Sequence, residues 1–137
     1  MSWMNRQLPL YITSRISSVA ADAEQEVMLF ESATNNIEIL SARFTPDSNI
    51  VTDNDSAFGF YLVNEGTSGT LNTTVASFTA TTTAATFSAT QSIALTLSTV
   101  SGATEIEAGE VLTWKETTIG TGTARANGVV TIEAVIL

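Results

Sequence analysis

The sequence predicts an all-β fold, a sandwich or barrel of about eight strands in one domain of 137 residues. Short stretches in which apolar and polar residues alternate recur at a spacing of roughly 10–15 residues. Clusters of Gly, Asn, Asp and Ser separate these stretches, as turns separate strands. A helical period of 3.6 residues is not sustained over any long segment, so the prediction leaves little room for helices.

Residues 1–22 are the first predicted element and differ from the rest of the chain. They contain several large apolar side chains without a regular period, and Pro9 prevents a helix there. One interpretation is a terminus that packs on the domain. The other is an extended N-terminal arm that docks on a partner, because a free tail seldom contains so many apolar residues. The candidate partner-binding residues are Trp3, Leu8, Leu10, Tyr11 and Ile12.

The predicted sandwich occupies residues 23–137 and opens with three strands. They are short runs of aliphatic, β-branched and aromatic residues. The alternation is clearest in the third strand, where Phe58, Phe60 and Leu62 share one face at period 2. The three strands cover residues 26–30, 36–44 and 57–63.

The stretch SFTATTTAATFSAT at 77–90 overlaps the end of a strand at 73–79 and has two interpretations. Thr is β-branched and favours strands, and the stretch lacks the Gly and Pro that are typical of flexible linkers. We therefore expect a hairpin, or a turn between sandwich edges, in which Phe78 and Phe87 each anchor one strand in the core. The alternative is a linker or a mobile loop.

Three further strands complete the predicted sandwich. In the first of them Ile93, Leu95 and Leu97 alternate with polar or small residues, as in a half-buried strand. In the second, Leu112 and Trp114 fall on the face that points to the core. The three strands cover residues 93–98, 111–116 and 129–137.

Charge and composition argue against several classes of function. The net charge is −9 and the five Lys and Arg residues are scattered singly, whereas nucleic acids and anionic membranes attract clustered cations. The apolar runs are also much shorter than a membrane span. The chain has neither Cys nor His, which removes the commonest metal ligand and the commonest general base. We therefore expect synthesis in a cytoplasm, with no cofactor, no metal, no nucleic acid and no membrane partner.

An acidic loop at 53–55 is the best candidate for a metal site. Asp53 and Asp55 have the spacing that opens a calcium-binding loop. The other positions do not fit, because Phe58 stands where that loop needs Gly and Asn64 stands where it needs Glu. The sequence favours a polar loop whose side chains cap the backbone.

A second acidic group consists of Glu105, Glu107 and Glu110. Paired carboxylates can hydrolyse glycosides, but such a site needs a cleft that is usually lined by exposed aromatic rings. Only 7% of the residues are aromatic, and Trp114 falls on the core-facing phase. The segment 106–112 is therefore interpreted as a turn at Gly109 that leads into a strand.

Four segments, in their order along the chain, resemble the small capsid decoration proteins, or cement proteins, of tailed bacteriophages. The first two are AEQEVMLF at 23–30 and a strand that ends in SARFTPD at 41–47. The third is an aromatic strand that leaves through NEG at 64–66, and the fourth is AGEVL at 108–112. The resemblance covers residues 23–137 and depends on the order and spacing of these motifs.

The resemblance implies a single jelly-roll-like β-sandwich with an extended N-terminal arm, and it implies binding rather than catalysis. Proteins of this family commonly form trimers on the outer capsid surface and brace neighbouring subunits of the major capsid protein. The chain is therefore expected to be a homotrimeric virion structural protein, made in a host cytoplasm, whose arm docks on the capsid.

Other functions fit parts of the sequence. A carbohydrate- or receptor-binding β-sandwich of a phage tail, fibre or adhesin would need an exposed aromatic platform, and few aromatic residues remain once a core is filled. A tail-tube or head-completion protein is compatible with the same composition. An enzyme is the least favoured alternative, because the usual catalytic triads require His.

Overall fold

A computed structural model describes residues 8–32 and 34–137, and these residues form twelve β-strands. The strands are β1 Leu8–Ile16, β2 Gln25–Glu31, β3 Ile37–Pro46, β4 Ile50–Thr52, β5 Ser56–Asn64, β6 Thr73–Thr79, β7 Ala85–Phe87, β8 Ile93–Ala94, β9 Thr96–Leu97, β10 Glu105–Ile106, β11 Val111–Gly120 and β12 Gly128–Ile136. No helix long and apolar enough to cross a membrane occurs in this part of the chain.

Two five-stranded antiparallel sheets form the sandwich. The first has the order β1-β12-β3-β10, with β8 also paired to β3, and the second has the order β2-β11-β5-β6-β9. β4 and β7 form a separate two-stranded sheet. If β8 and β10, which both pair with β3, are counted as one interrupted strand and the short strands β4, β7 and β9 are set aside, successive strands are distributed between the sheets as in a jelly roll. The prediction of a single antiparallel β-sandwich is confirmed.

The structure differs from the sequence prediction at β1, because part of the predicted arm is a strand of the sandwich. β1 pairs with β12 over its whole length, from Leu8 opposite Ile136 to Ile16 opposite Gly128. Ile12 and Ile16 are buried, whereas the residues between them include exposed ones, so the segment has a period of 2. Pro9 is tolerated because β1 is an edge strand, where a missing backbone donor costs little.

Aromatic side chains from both sheets meet in the middle of the core. The ring centroid of Phe44 on β3 lies 4.8 Å from that of Phe60 on β5 and 5.8 Å from that of Trp114 on β11. All three side chains are fully buried. Contacts of this kind add about 0.5–1.5 kcal/mol each beyond the area they bury, so they hold the two sheets together. The inward orientation predicted for Trp114 is confirmed.

The Thr- and Ala-rich stretch is part of the sandwich, but it does not form a hairpin. β7 pairs with β4, not with β6. The chain leaves the second sheet after Thr79 and is held by a hydrogen bond of 2.6 Å from the Thr52 hydroxyl to the Thr83 carbonyl. Phe78 and Phe87 both pack against the core, with ring centroids 5.6 Å apart. The prediction that these two rings anchor the stretch is therefore confirmed.

A buried ion pair lies between Glu116 on β11 and Arg125 in the loop before β12. Their side chains are fully buried, with Arg125 Nε 3.5 Å from Glu116 Oε1. Gln25 Nε2 and Trp114 Nε1 donate to the other carboxylate oxygen of Glu116. The Arg125 guanidinium donates to the carbonyls of Ala23 and Thr123. The pair thus ties together the loops β1–β2 and β11–β12. Burial raises the pKa of Glu116, against the opposing effect of these donors and of Arg125.

Candidate functional site

One end of the sandwich gathers several surface features that could bind a partner. It is formed by four loops, between β2 and β3, between β5 and β6, before β10, and between β10 and β11. We call it the acidic end, because six glutamates lie on these loops or at the strand ends that adjoin them. They are Glu31, Glu38, Glu65, Glu105, Glu107 and Glu110.

Backbone hydrogen bonds join the loops of the acidic end to one another. The amide of Ser32 donates to the carbonyl of Glu110 at 3.0 Å, and the amide of Glu65 donates to that of Val111 at 2.8 Å. The loop before β10 is linked to β3 by a bond of 2.9 Å from Ile39 to Thr104. Because the loops are cross-linked in this way, the end offers a preformed surface.

The three glutamates that the sequence suggested as a site line one pocket at the acidic end. The pocket has a volume of about 270 Å³ and is also lined by Leu71 and Ala103. The predicted turn is confirmed, because Gly109 has a φ of 88° and Glu110 Oε1 accepts a bond of 2.7 Å from the Glu107 amide. The carboxylates therefore form the wall of an acidic pocket next to a tight turn.

Exposed apolar side chains adjoin this pocket. Leu71 is 51% exposed, and Val100 is 70% exposed on the loop that lines the pocket at Gly102 and Ala103. Leu137, at 53% exposed, follows β12 at the same end, where its amide donates to the Asn36 carbonyl. Apolar groups surrounded by charge are typical of surfaces that bind other proteins. We refer to Leu71 and Val100 together as the apolar patch.

Lys115 fastens the loop between β5 and β6 to the second sheet. Its ammonium lies 2.8 Å from Glu65 Oε1 and donates to Asn72 Oδ1 at 3.1 Å. Thr113 donates to the same oxygen of Glu65 at 3.0 Å. Burial raises the pKa of Glu65, but the bonds from Lys115 and Thr113 outweigh it, so the pKa lies below its ordinary value. The hydrogen bond to Glu65 in turn raises the pKa of Lys115.

Replacing Glu65 by Gln is expected to lower the free energy of unfolding by about 1 kcal/mol at pH 7. The folded protein binds the Glu65 proton less tightly than the unfolded chain does. The stabilisation is therefore present above the unfolded pKa of 4.5 and is lost as the pH falls through the lower folded value. Urea titrations of both proteins between pH 7 and pH 3 should show the difference shrinking in acid. Glu107→Gln, an exposed carboxylate, is the control, and an equal defect in both variants would contradict the assignment.

An apolar groove lies at the same end, between the two sheets. It has a volume of about 240 Å³, and its apolar lining residues are Leu10, Phe30, Ile37 and Ile136. Glu31, Ser32, Thr34 and Asn35 form its polar rim. Ile37 is buried, whereas the other three apolar side chains are only partly buried although they pack against the core. The groove thus leaves apolar surface open where β1 begins.

The five predicted partner-binding residues are placed differently by the structure. Ile12 is part of the core, and Leu10 lines the groove. Tyr11 is 65% exposed on the outer face of the first sheet, opposite Glu133 of β12. Leu8 begins β1 opposite Ile136, and Trp3 lies outside the described residues. Tyr11 and Leu10 therefore have surface to offer a partner, whereas Ile12 stabilises the fold.

The acidic loop at 53–55 caps the backbone, as the sequence suggests. Asp53 Oδ1 accepts a bond of 2.8 Å from the Asp55 amide. Across residues 8–32 and 34–137, no group of three or more His, Cys, Asp or Glu residues is arranged to hold a metal ion.

Comparisons with known proteins leave the family of the chain open. No family model matches it, and a search of curated proteins finds no significant match. Among solved structures it is similar to a chain from the structure of infectious bursal disease virus Gx strain, at 14% identity and a TM-score of 0.31. The alignment covers 96% of this chain and 40% of the viral chain. Nothing about the role of this chain follows from a likeness of that size.

Sequence reasoning missed the acidic end as a unit. The groove combines residues from β1, β2, β3 and β12, and the pocket combines loops that are far apart in the chain. The signal that was available is the spacing of Glu105, Glu107 and Glu110 around Gly109, which located one wall of the pocket. The apolar patch has no such signal, because an isolated Leu or Val in a polar loop is common on protein surfaces.

Proposed function

We propose that the chain is a virion structural protein that decorates the head of a tailed bacteriophage. In this proposal it is a homotrimer without enzymatic activity that binds the outer capsid surface and bridges subunits of the major capsid protein. The observation that carries the proposal is the acidic end, where a preformed loop surface combines exposed apolar groups with acidic side chains. The ordered resemblance over residues 23–137 supports the same role.

Contact through the acidic end would explain why glutamates outnumber cations on this surface. Of the described cations, Lys115 is the one that pairs with a glutamate of the acidic end, and it lies on the sheet rather than on the loops. A capsid region that complements this end would therefore present cations around an apolar contact. Complementary charge speeds association and fixes orientation more than it raises affinity, so binding should slow at high salt.

Decoration can stabilise a shell without any chemistry. A protein that binds the assembled capsid and not the dispersed subunits shifts the equilibrium toward assembly by mass action. A specific contact of this kind should bury about 1,000 Å² or more. The apolar patch and the pocket beside it would be the centre of such a contact, and the glutamates would be its polar rim.

Co-sedimentation with heads tests this proposal. The chain would be produced together with the major capsid protein encoded in the same genome, and the heads would be separated by gradient centrifugation. Leu71→Lys and Val100→Lys are each expected to weaken binding at least 10-fold, because a charge placed in an apolar contact must be desolvated. Val51→Lys is the matched control, since Val51 is 57% exposed on β4 at the opposite end. If the control weakens binding as much as the two test variants do, the acidic end is not the contact.

A further inference from the structure

In the part of the chain that the structure describes, three apolar side chains of the groove are only partly covered. Leu10, Phe30 and Ile136 belong to the layer around the core, yet each leaves apolar surface open to a space of about 240 Å³. That space has room for one large side chain, and an aromatic ring would bury about 150–250 Å² there. The exposed Glu31 on the rim suits a cation that follows or precedes this side chain.

Residues 1–7, with the sequence MSWMNRQ, have the chemistry that the groove requires. They contain Trp3 and Met4 as large apolar groups and Arg6 as a cation. The segment also joins β1 at the groove itself, because Leu8 is opposite Ile136 and Leu10 is a lining residue. A fully extended segment of this length spans about 23–25 Å, enough to reach a neighbouring molecule.

The direction of β1 favours the groove of a neighbouring copy over the segment's own. β1 runs from the acidic end toward the opposite end, so the segment joins the sandwich at the acidic end, beside the groove. To place Trp3 in its own groove, the chain would have to reverse its direction within residues 4–7. No reversal is needed when the segment continues outward to a second copy.

We propose that the groove binds residues 1–7 of a neighbouring copy, with Trp3 as the side chain that enters it. The contact joins two different surfaces, a segment and a groove, and is therefore heterologous. Each copy donates one segment and accepts one, and a rotation that closes the ring gives a cyclic trimer. This inference rests on the homotrimer in the proposed function and specifies how its copies are joined.

Cysteine cross-linking tests the exchange directly, because the chain contains no Cys. The variant with both Ser2→Cys and Thr34→Cys keeps Trp3 and places one thiol on the segment and one on the rim of the groove. Mild oxidation without capsids is expected to give covalent dimers and trimers on a non-reducing gel. A mixture of the two single variants should give one heterodimer. The control pairs Ser2→Cys with Val51→Cys, at the opposite end, and should give no cross-link.

A bond within one chain, seen as a monomer that has lost two hydrogens, would overturn the proposal, and so would the absence of any specific cross-link. Deleting residues 1–7 provides a second measurement, in which we expect a folded protein with an unchanged circular dichroism spectrum and a shift from trimer to monomer by native mass spectrometry. A deletion variant that stays trimeric would also overturn it.

Capsid binding is scored separately. Cross-links without decoration would refute the capsid role alone, and decoration without cross-links would refute the exchange alone.

Discussion

Replacing Arg125 by Ala is expected to lower the free energy of unfolding by about 3–5 kcal/mol, because it leaves the Glu116 carboxylate buried without its cation. The carbonyls of Ala23 and Thr123 lose their donor as well, so the loops β1–β2 and β11–β12 lose a common anchor. Urea unfolding followed by the fluorescence of buried Trp114 would measure the effect. The matched control is Arg15→Ala, which breaks the exposed pair with Asp47 and should cost less than about 1 kcal/mol.

Two further measurements separate the buried charge from lost packing. Burial raises the pKa of Glu116 above 4.5, so the unfolding free energy it contributes falls as the pH rises through the folded value. Arg125 lowers this pKa, so its removal makes the buried carboxylate still harder to ionise. The loss of unfolding free energy caused by Arg125→Ala should therefore be larger at pH 8 than at pH 5. Combining Arg125→Met with Glu116→Gln removes both charges and keeps an acceptor for Gln25 and Trp114, so much of the loss should be recovered. If Arg125→Ala and the double variant lose the same unfolding free energy, the unpaired charge of Glu116 is not the cause of the loss.

Replacing Gly122 by Ala is expected to lower the free energy of unfolding by about 3 kcal/mol or more, because two penalties add. Gly122 has a φ of 84°, and an added Cβ would lie 1.9 Å from the carbonyl oxygen of Ala21. The loop β11–β12 would have to move away from the loop β1–β2, next to the Glu116–Arg125 pair. Thermal and urea unfolding of the variant would measure the loss.

Gly69→Ala is the matched control for that prediction. Gly69 has a similar φ of 77°, but nothing lies within 4 Å of the position of an added Cβ. Its cost should be that of the left-handed backbone alone, about 1–2 kcal/mol. If the two substitutions destabilise the protein equally, the close approach of the two loops at Gly122 is not as the structure describes it.

The long strands of the sandwich could be predicted because large apolar residues recur at every second position on the face that points to the core. Phe58, Phe60 and Leu62 on β5 and Trp114 on β11 point inward as their period of 2 predicts. β1 was harder to recognise, because Pro9 and several apolar residues on both faces hide the same period. The pairing of β7 with β4 rather than β6 was not predictable, since short Thr-rich strands carry little information about their partners.

The buried ion pair and the acidic end illustrate what a single sequence does not contain. Glu116 and Arg125 look like two isolated charges along the chain, and it is the pairing of Arg125 with Val19 that brings the loops β1–β2 and β11–β12 together around it. The groove is assembled from strand ends of both sheets. Such features depend on which strands are neighbours, and residue alternation does not determine that order.

The position of β1 also changes how the arm should be tested. Deleting residues 1–22 would remove a whole strand and expose the core beneath Ile12 and Ile16, so lost binding could reflect lost folding. A deletion that stops before Leu8 removes none of the described sandwich. It separates the role of the arm from the stability of the domain.

The most direct test of the proposed role is to mix the purified wild-type chain with heads built from the major capsid protein of the same genome. Native mass spectrometry would first give the oligomeric state, for which we expect a trimer. The bound protein would then be measured after gradient centrifugation at increasing concentrations. The proposal predicts binding that saturates at a fixed number of trimers per head and raises the temperature at which the heads fall apart. A chain that remains free of the heads at every concentration would contradict it.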